Sequence, residues 1–148
     1  MQLAGIAFLL VLPVLAVLGV FGESFDSASA TDAGIRLQVS YPSRLRYRQD
    51  STLELTVSNT GAQSPGSLSV HFERSYLDRF SGVSFTPQVT LATERAFVIE
   101  LGTLAPGESR VIILQLTGGQ YGRHEGRIWV EQNGSRTAAL DLTTLVFP

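Results

Sequence analysis

Two histidines, a glycine-rich pentapeptide and one Asn-x-Ser triplet are the residues of this chain whose types and spacing suggest chemistry. His71 falls on the polar face of a strand-like run. His124 stands in Gly122-Arg123-His124-Glu125-Gly126, which reads as a turn. A metal ion needs three or four converging ligands. His124 and Glu125 are the nearest pair, but adjacent strand residues point to opposite faces. Both histidines therefore read as surface residues. Gly118-Gly119-Gln120-Tyr121-Gly122 lacks a following helix-forming segment to aim amides at a phosphate, so it reads as a turn. Asn133-Gly134-Ser135 matches a glycosylation acceptor, and the same residues are explained by a two-residue hairpin. No nucleophile elbow, Walker loop, zinc-binding helix or calcium loop occurs, and there is no cysteine. The expectation is a protein that is not an enzyme, with no cofactor, metal or small-molecule substrate.

Three features suggest contacts instead. Arg44, Arg46 and Arg48 alternate, so in an extended segment their guanidiniums share a side and could meet anionic headgroups or an acidic partner; a solvated basic edge is the plainer reading. If Ile112, Leu114, Leu116, Ile128 and Val130 face inward, then Val111, Ile113 and Trp129 face outward. In an immunoglobulin-like strand order they would form one apolar patch, unless a loop of the same chain covers them. The third feature is the stretch Leu3 to Phe21, LAGIAFLLVLPVLAVLGVF, with no charge and no hydrogen-bonding side chain. At about 1.5 Å per residue it is roughly 28 Å long as a helix, near a bilayer's hydrocarbon thickness. Its Ala4, Gly5, Ala7, Ala16 and Gly19 would permit close helix packing in lipid.

The elements that must carry these residues follow from the pattern. Residues 1–22 read as a transmembrane helix and 23–33 (small, polar and acidic) as a linker. Residues 34–148 read as one β-domain. Ala28-Ser29-Ala30 would also serve as a signal-peptide cleavage site. Seven runs alternate with period two, around residues 36–41, 53–58, 68–72, 97–101, 111–116, 127–131 and 138–143. Turn residues separate them, Asn133-Gly134 being the strongest hairpin signal. Residues 73–80 break the rhythm. Tyr76, Leu77 and Phe80 at helical spacing predict a short helical turn that plugs the core, or, as the lesser reading, a partner-binding knob. The fold expected is all-β: an immunoglobulin-like antiparallel β-sandwich of about seven strands, preceded by one N-terminal transmembrane helix.

Two stretches carry a resemblance. Asp50 to Gly61, DSTLELTVSNTG, resembles the second strand and following turn of bacterial CARDB-like immunoglobulin-like domains. Leu101 to Ser109, LGTLAPGES, resembles their later turn into a long apolar strand. The resemblance spans roughly residues 35–132. It implies a sandwich that serves as spacer, adhesion module or accessory domain, with no catalytic residues to carry over. Such domains commonly occur as repeats in surface proteins, whereas this chain has one copy.

Thirteen acids and eleven bases are spread without a block of one sign, so no nucleic-acid partner is expected. The expected function is that of a non-catalytic, membrane-anchored accessory subunit of a membrane protein complex, with respiratory and photosynthetic assemblies among the candidates. Its expected partners are integral membrane protein subunits, and the lipid bilayer through residues 3–21. The expected localisation is single-pass, with the N-terminus cytoplasmic and the β-domain periplasmic or extracellular. The alternative is a freestanding cell-surface module that binds polysaccharide or protein.

Overall fold

The computed structural model describes residues 22–148. The described chain is all-β, with ten strands and one short helix: β1 (Ser24–Asp32), β2 (Ile35–Arg46), β3 (Asp50–Asn59), β4 (Leu68–Glu73), α1 (Arg74–Leu77), β5 (Phe80–Thr86), β6 (Leu91–Ala92), β7 (Ala96–Gly102), β8 (Ser109–Gly118), β9 (Gly122–Gln132) and β10 (Ser135–Phe147). All seven runs predicted from alternation are strands, and β1, β5 and β6 add to them.

Hydrogen bonding runs β5-β8-β3-β2-β10-β9-β4-β7-β6, with β1 laid on β2. The pairing is antiparallel apart from β10 on β2, which is parallel through Leu145↔Arg44 to Phe147↔Arg46. Strand β2 makes the turn of the sheet: its residues 35–40 pair with β3, and its residues 44–46 pair with β10. The sheet thereby curls on itself. Phe85 of β5 meets Phe72 of β4 at 5.7 Å and Phe97 of β7 at 5.5 Å, although these strands lie towards opposite ends of the hydrogen-bonded order. Leu37, Val39, Leu55, Leu114, Val130 and Leu142 are among the side chains buried between the two halves. Alternation puts every second residue on that inner face, and each large aliphatic side chain buried there contributes about 1.5–3 kcal/mol.

The segment 23–33, read as a linker, is corrected. It contains a nine-residue strand paired with β2 from Ser24↔Arg44 to Asp32↔Ile35. Its inward residues are Ala28 and Ala30, which pack against the core. Side chains that small give an alternation too faint to separate from linker composition. The turn Ala33-Gly34 has positive φ at both residues, 47° and 78°, as a type I′ hairpin requires. The same geometry occurs at Asn133-Gly134, 51° and 80°, where the sequence predicted it.

The single-pass localisation is also corrected. Among the described residues no helix is long and apolar enough to cross a membrane, and α1 has four residues. The span assigned to residues 3–21 itself lies outside the described residues.

The predicted helical turn is present as α1, and it is a plug. Tyr76 and Leu77 are buried, and the Tyr76 ring meets Phe80 edge-on at 5.2 Å. The Tyr76 hydroxyl shares a 2.8 Å hydrogen bond with Thr144 Oγ1, and Thr144 Oγ1 donates to the Pro42 carbonyl at 2.7 Å. Burial pushes the Tyr76 phenol up to about 12. Gly126 opposite is required by this packing, because a Cβ there would run into Tyr76 Cβ and its ring.

The two stretches that carry the family resemblance fasten to each other. Asn59 is buried and accepts from the Gly61 N–H at 2.9 Å. Its Nδ2 donates to Gln63 O at 2.8 Å and Leu104 O at 3.0 Å. Asn59 N–H donates to Glu108 O at 3.0 Å, and Gly107 N–H donates to Asn59 O at 2.9 Å.

Candidate functional site: an aromatic and arginine-lined end

The end of the molecule where β2 finishes gathers what the sequence scatters. The turn Tyr47-Arg48-Gln49 leads into β3, with Arg48 left-handed at φ 60°. Four backbone bonds hold it: Tyr47 N–H to Phe147 O at 2.8 Å, Arg48 N–H to Gly118 O at 2.8 Å, Gln49 N–H to Arg46 O at 3.1 Å and Gly118 N–H to Gln49 O at 3.0 Å. Gly118 is needed because a Cβ would meet the Arg46 carbonyl. The glycine-rich 118–122 segment is thus a turn, as its composition predicted, and its packing against β2 delivers Tyr121 to the surface.

Four of the six large exposed hydrophobic side chains collect here: Phe25, Tyr47, Tyr121 and Leu145. Register brings Phe25 and Leu145 to this end, since Ser24 and Leu145 both lie opposite Arg44 and Phe25 opposite Pro42, while Tyr47 and Tyr121 come from the turns after β2 and β8. Tyr121 is 57% exposed, and its ring lies 4.8 Å from that of Tyr47. The Arg48 guanidinium sits 5.3 Å over Tyr47 and that of Arg46 5.7 Å over Phe147. Arg44 and Arg46 share the exposed side of β2, as the alternation predicted, while Arg48 belongs to the turn beyond the strand. Exposed rings beside guanidiniums can bury against another surface by stacking and by bidentate hydrogen bonds to carboxylates.

The apolar patch predicted from Val111, Ile113 and Trp129 does not form. Strands β3, β2 and β10 separate β8 from β9. Val111 is 48% exposed and Ile113 half-buried on the outer side of β8. Trp129, on the other half of the sheet, is only 9% exposed. Side chains of its own chain cover it. Arg136 lies 4.4 Å over the ring, His71 stacks on it at 5.2 Å, and the indole N–H donates to Glu131 at 3.0 Å. Sequence reasoning missed this because the cover comes from cross-strand neighbours, His71 of β4 lying directly opposite Trp129.

His71 is half-buried, 3.0 Å from Ser69 Oγ and 3.4 Å from Glu131. Burial lowers its pKa, Glu131 raises it and Arg136 lowers it further. His124, expected at the surface, is buried in β9 with Nε2 2.7 Å from the Gln120 carbonyl. Beside Trp129 runs a groove of about 800 Å³, lined by Glu73, Glu94, Arg95, Arg127 and Asp141 among others. Its charges partly neutralise each other, Arg127 Nε donating to Asp141 at 2.6 Å. Among the described residues no group of three or more His, Asp or Glu could hold a metal ion.

No protein-family model matches the chain, and no curated protein matches it. Solved structures do. The solution structure of the CARDB domain of a Pyrococcus furiosus protein is 15% identical, with 76% of this chain and 94% of that one covered at a TM-score of 0.50. A crystal structure of the same domain, in complex with di-metal ions, is 15% identical over 76% and 91% at a TM-score of 0.47. A conjugative transposon lipoprotein from Bacteroides eggerthii is 13% identical over 81% and 95% at 0.46. The first likeness shows the fold alone: the chain is an all-β protein whose curled sheet fits the β-sandwich of a CARDB domain.

Proposed function

We propose that this chain is a non-catalytic accessory subunit that docks on a larger protein complex through one end of an immunoglobulin-like β-sandwich. The observation that carries the reading is the gathering of Tyr47, Tyr121, Phe25 and Leu145 with Arg44, Arg46 and Arg48 at that end. Tyrosine and arginine are enriched among the residues that dominate binding energy, and among the described residues the other large exposed hydrophobic side chains are Leu91 and Val111. The expectation that the partners are integral membrane protein subunits rests on the composition of residues 3–21. The test is purification from the native source with Tyr121→Asp and Arg48→Glu together. Loss of a stoichiometric partner from a folded double variant supports the reading, and unchanged co-purification refutes it.

A second reading is a freestanding surface module that binds polysaccharide. The paired Tyr47 and Tyr121 rings favour it, since exposed aromatic faces at a loop tip can stack on sugars. Binding of the purified chain to an immobilised glycan, abolished by Tyr121→Ala, would select this reading over docking on a complex.

A further inference from the structure

The chain has one tryptophan, and its cover is built from groups whose charges compete. Trp129 stands on the outer face of β9, with His71 of β4 directly opposite and stacked on it at 5.2 Å and 16°. The Arg136 guanidinium lies 4.4 Å over the same ring. Arg136 sits in register with Glu131 across the β9–β10 ladder. Glu131 turns to the cluster instead, accepting from the indole N–H at 3.0 Å and lying 3.4 Å from His71 Nε2. Among the described residues no carboxylate forms an ion pair with Arg136, so its hold on the ring is the cation–π contact. Trp129 and Arg136 both border the groove of about 800 Å³. The position of the guanidinium therefore decides whether that groove meets a cation or an indole face.

The geometry points to an acid-operated cover: a proton on His71 drives Arg136 off the Trp129 ring and opens the indole to the groove. An imidazolium carries an N–H on both ring nitrogens, so Nε2 must donate, and Glu131 is the charged acceptor in reach. Glu131 is then committed to His71 and cannot balance Arg136 across the ladder. Arg136 disfavours the charged form of His71, and by linkage the charged His71 disfavours Arg136 where it lies by the same amount. Arg136 yields because it is an exposed hairpin residue, whereas His71 is half-buried on β4. The other charged groups around His71 do not reverse this. Glu73, two residues along β4, and Glu100 of β7, opposite Ser69, are acids that favour the proton as Glu131 does. Arg127 of β9 is tied to Asp141 at 2.6 Å. β6 brings uncharged Leu91 opposite Val98, beside His71. Burial is the largest influence on His71 and holds it neutral near neutral pH, so the cover is closed there and opens as the pH falls through a midpoint below histidine's usual 6.5. Trp129 lies towards the opposite end of β9 from Tyr121, so acid exposes a second surface without using the first.

Because Trp129 is the sole tryptophan, acrylamide quenching of its fluorescence reads the cover directly. The full chain is measured in a mild nonionic detergent from about pH 8 to about pH 5, which spans the histidine range. Expected for the wild type is a quenching constant that rises at least about twofold as the pH falls, with an unchanged circular dichroism spectrum. His71→Gln keeps a planar, hydrogen-bonding side chain opposite Trp129 but takes up no proton, and its quenching should stay low throughout. Arg136→Gln, at an exposed position, removes the cover itself and should be open at both ends of the range. A wild type whose quenching is flat with pH, a His71→Gln chain that keeps the wild-type response, or an Arg136→Gln chain as shielded as the wild type at the alkaline end would each overturn the inference. So would an acid response that comes with loss of the β-sheet signal.

Discussion

Replacing Asn59 by alanine tests how this sandwich is fastened. The side chain makes three bonds: it donates to Gln63 O at 2.8 Å and Leu104 O at 3.0 Å, and accepts from Gly61 N–H at 2.9 Å. Water can replace part of the first and third at the exposed loop, leaving a net loss of about 1 kcal/mol between them. Leu104 is fully buried. Stripping the donor from its carbonyl costs a further 1–3 kcal/mol, roughly, by leaving an acceptor without water or partner. The backbone bonds from Asn59 to Glu108 and from Gly107 to Asn59 remain in the variant, so the turn persists and the loss is one of stability. The total, about 2–4 kcal/mol, is a large share of the roughly 5–15 kcal/mol that holds a domain. Urea unfolding measures it, at an unchanged slope. Ser58→Ala is the control, because it removes an exposed hydroxyl pair with Ser109 at 2.8 Å and should cost under about 0.5 kcal/mol. If Asn59→Ala unfolds with the wild type, or no more easily than Ser58→Ala, the fastening argument fails.

Three other outcomes are expected. The folded pKa of Tyr76 is raised from 10.0 to about 12, so its contribution is complete below pH 10 and lost as pH climbs towards 12, where the unfolded chain ionises first. At about 1.4 kcal/mol per unit the loss is on the order of 3 kcal/mol, and Tyr76→Phe should flatten that part of the stability profile. Gly126→Ala drives a methyl into Tyr76 and should destabilise by about 1–3 kcal/mol in thermal unfolding, a cost largely absent when Tyr76 is already alanine. Arg136→Gln removes a cation that lowers the His71 pKa, so NMR titration of the His71 ring should move upward; a downward move would contradict the assigned contacts.

The strands were legible in the sequence wherever large aliphatic residues alternate, because inward Leu, Val and Ile leave a strong two-residue period. β1 and β5 were missed because small residues weaken the alternation in each. The inward residues of β1 are two alanines, and those of β5 sit on a rim where serine and glycine dilute the pattern. The switch of β2 from one half of the sheet to the other left no local mark, and it decides which strands are neighbours. That is why Val111 and Trp129 ended on different halves. The arginines at 44, 46 and 48 were readable as a group, yet of their companions Phe25 and Leu145 come from distant strands joined by register, and Tyr121 comes from the turn after β8. Asn59 was visible as a turn residue, but the partners of its buried side chain, above all Leu104, were not.

Site-specific photocross-linking in the native cell tests the docking end most directly, with the probe placed at residue 121 and, for comparison, at residue 111. One discrete cross-linked polypeptide is expected from position 121 and little from 111. Equal capture from both positions, or capture from 111 alone, would contradict it.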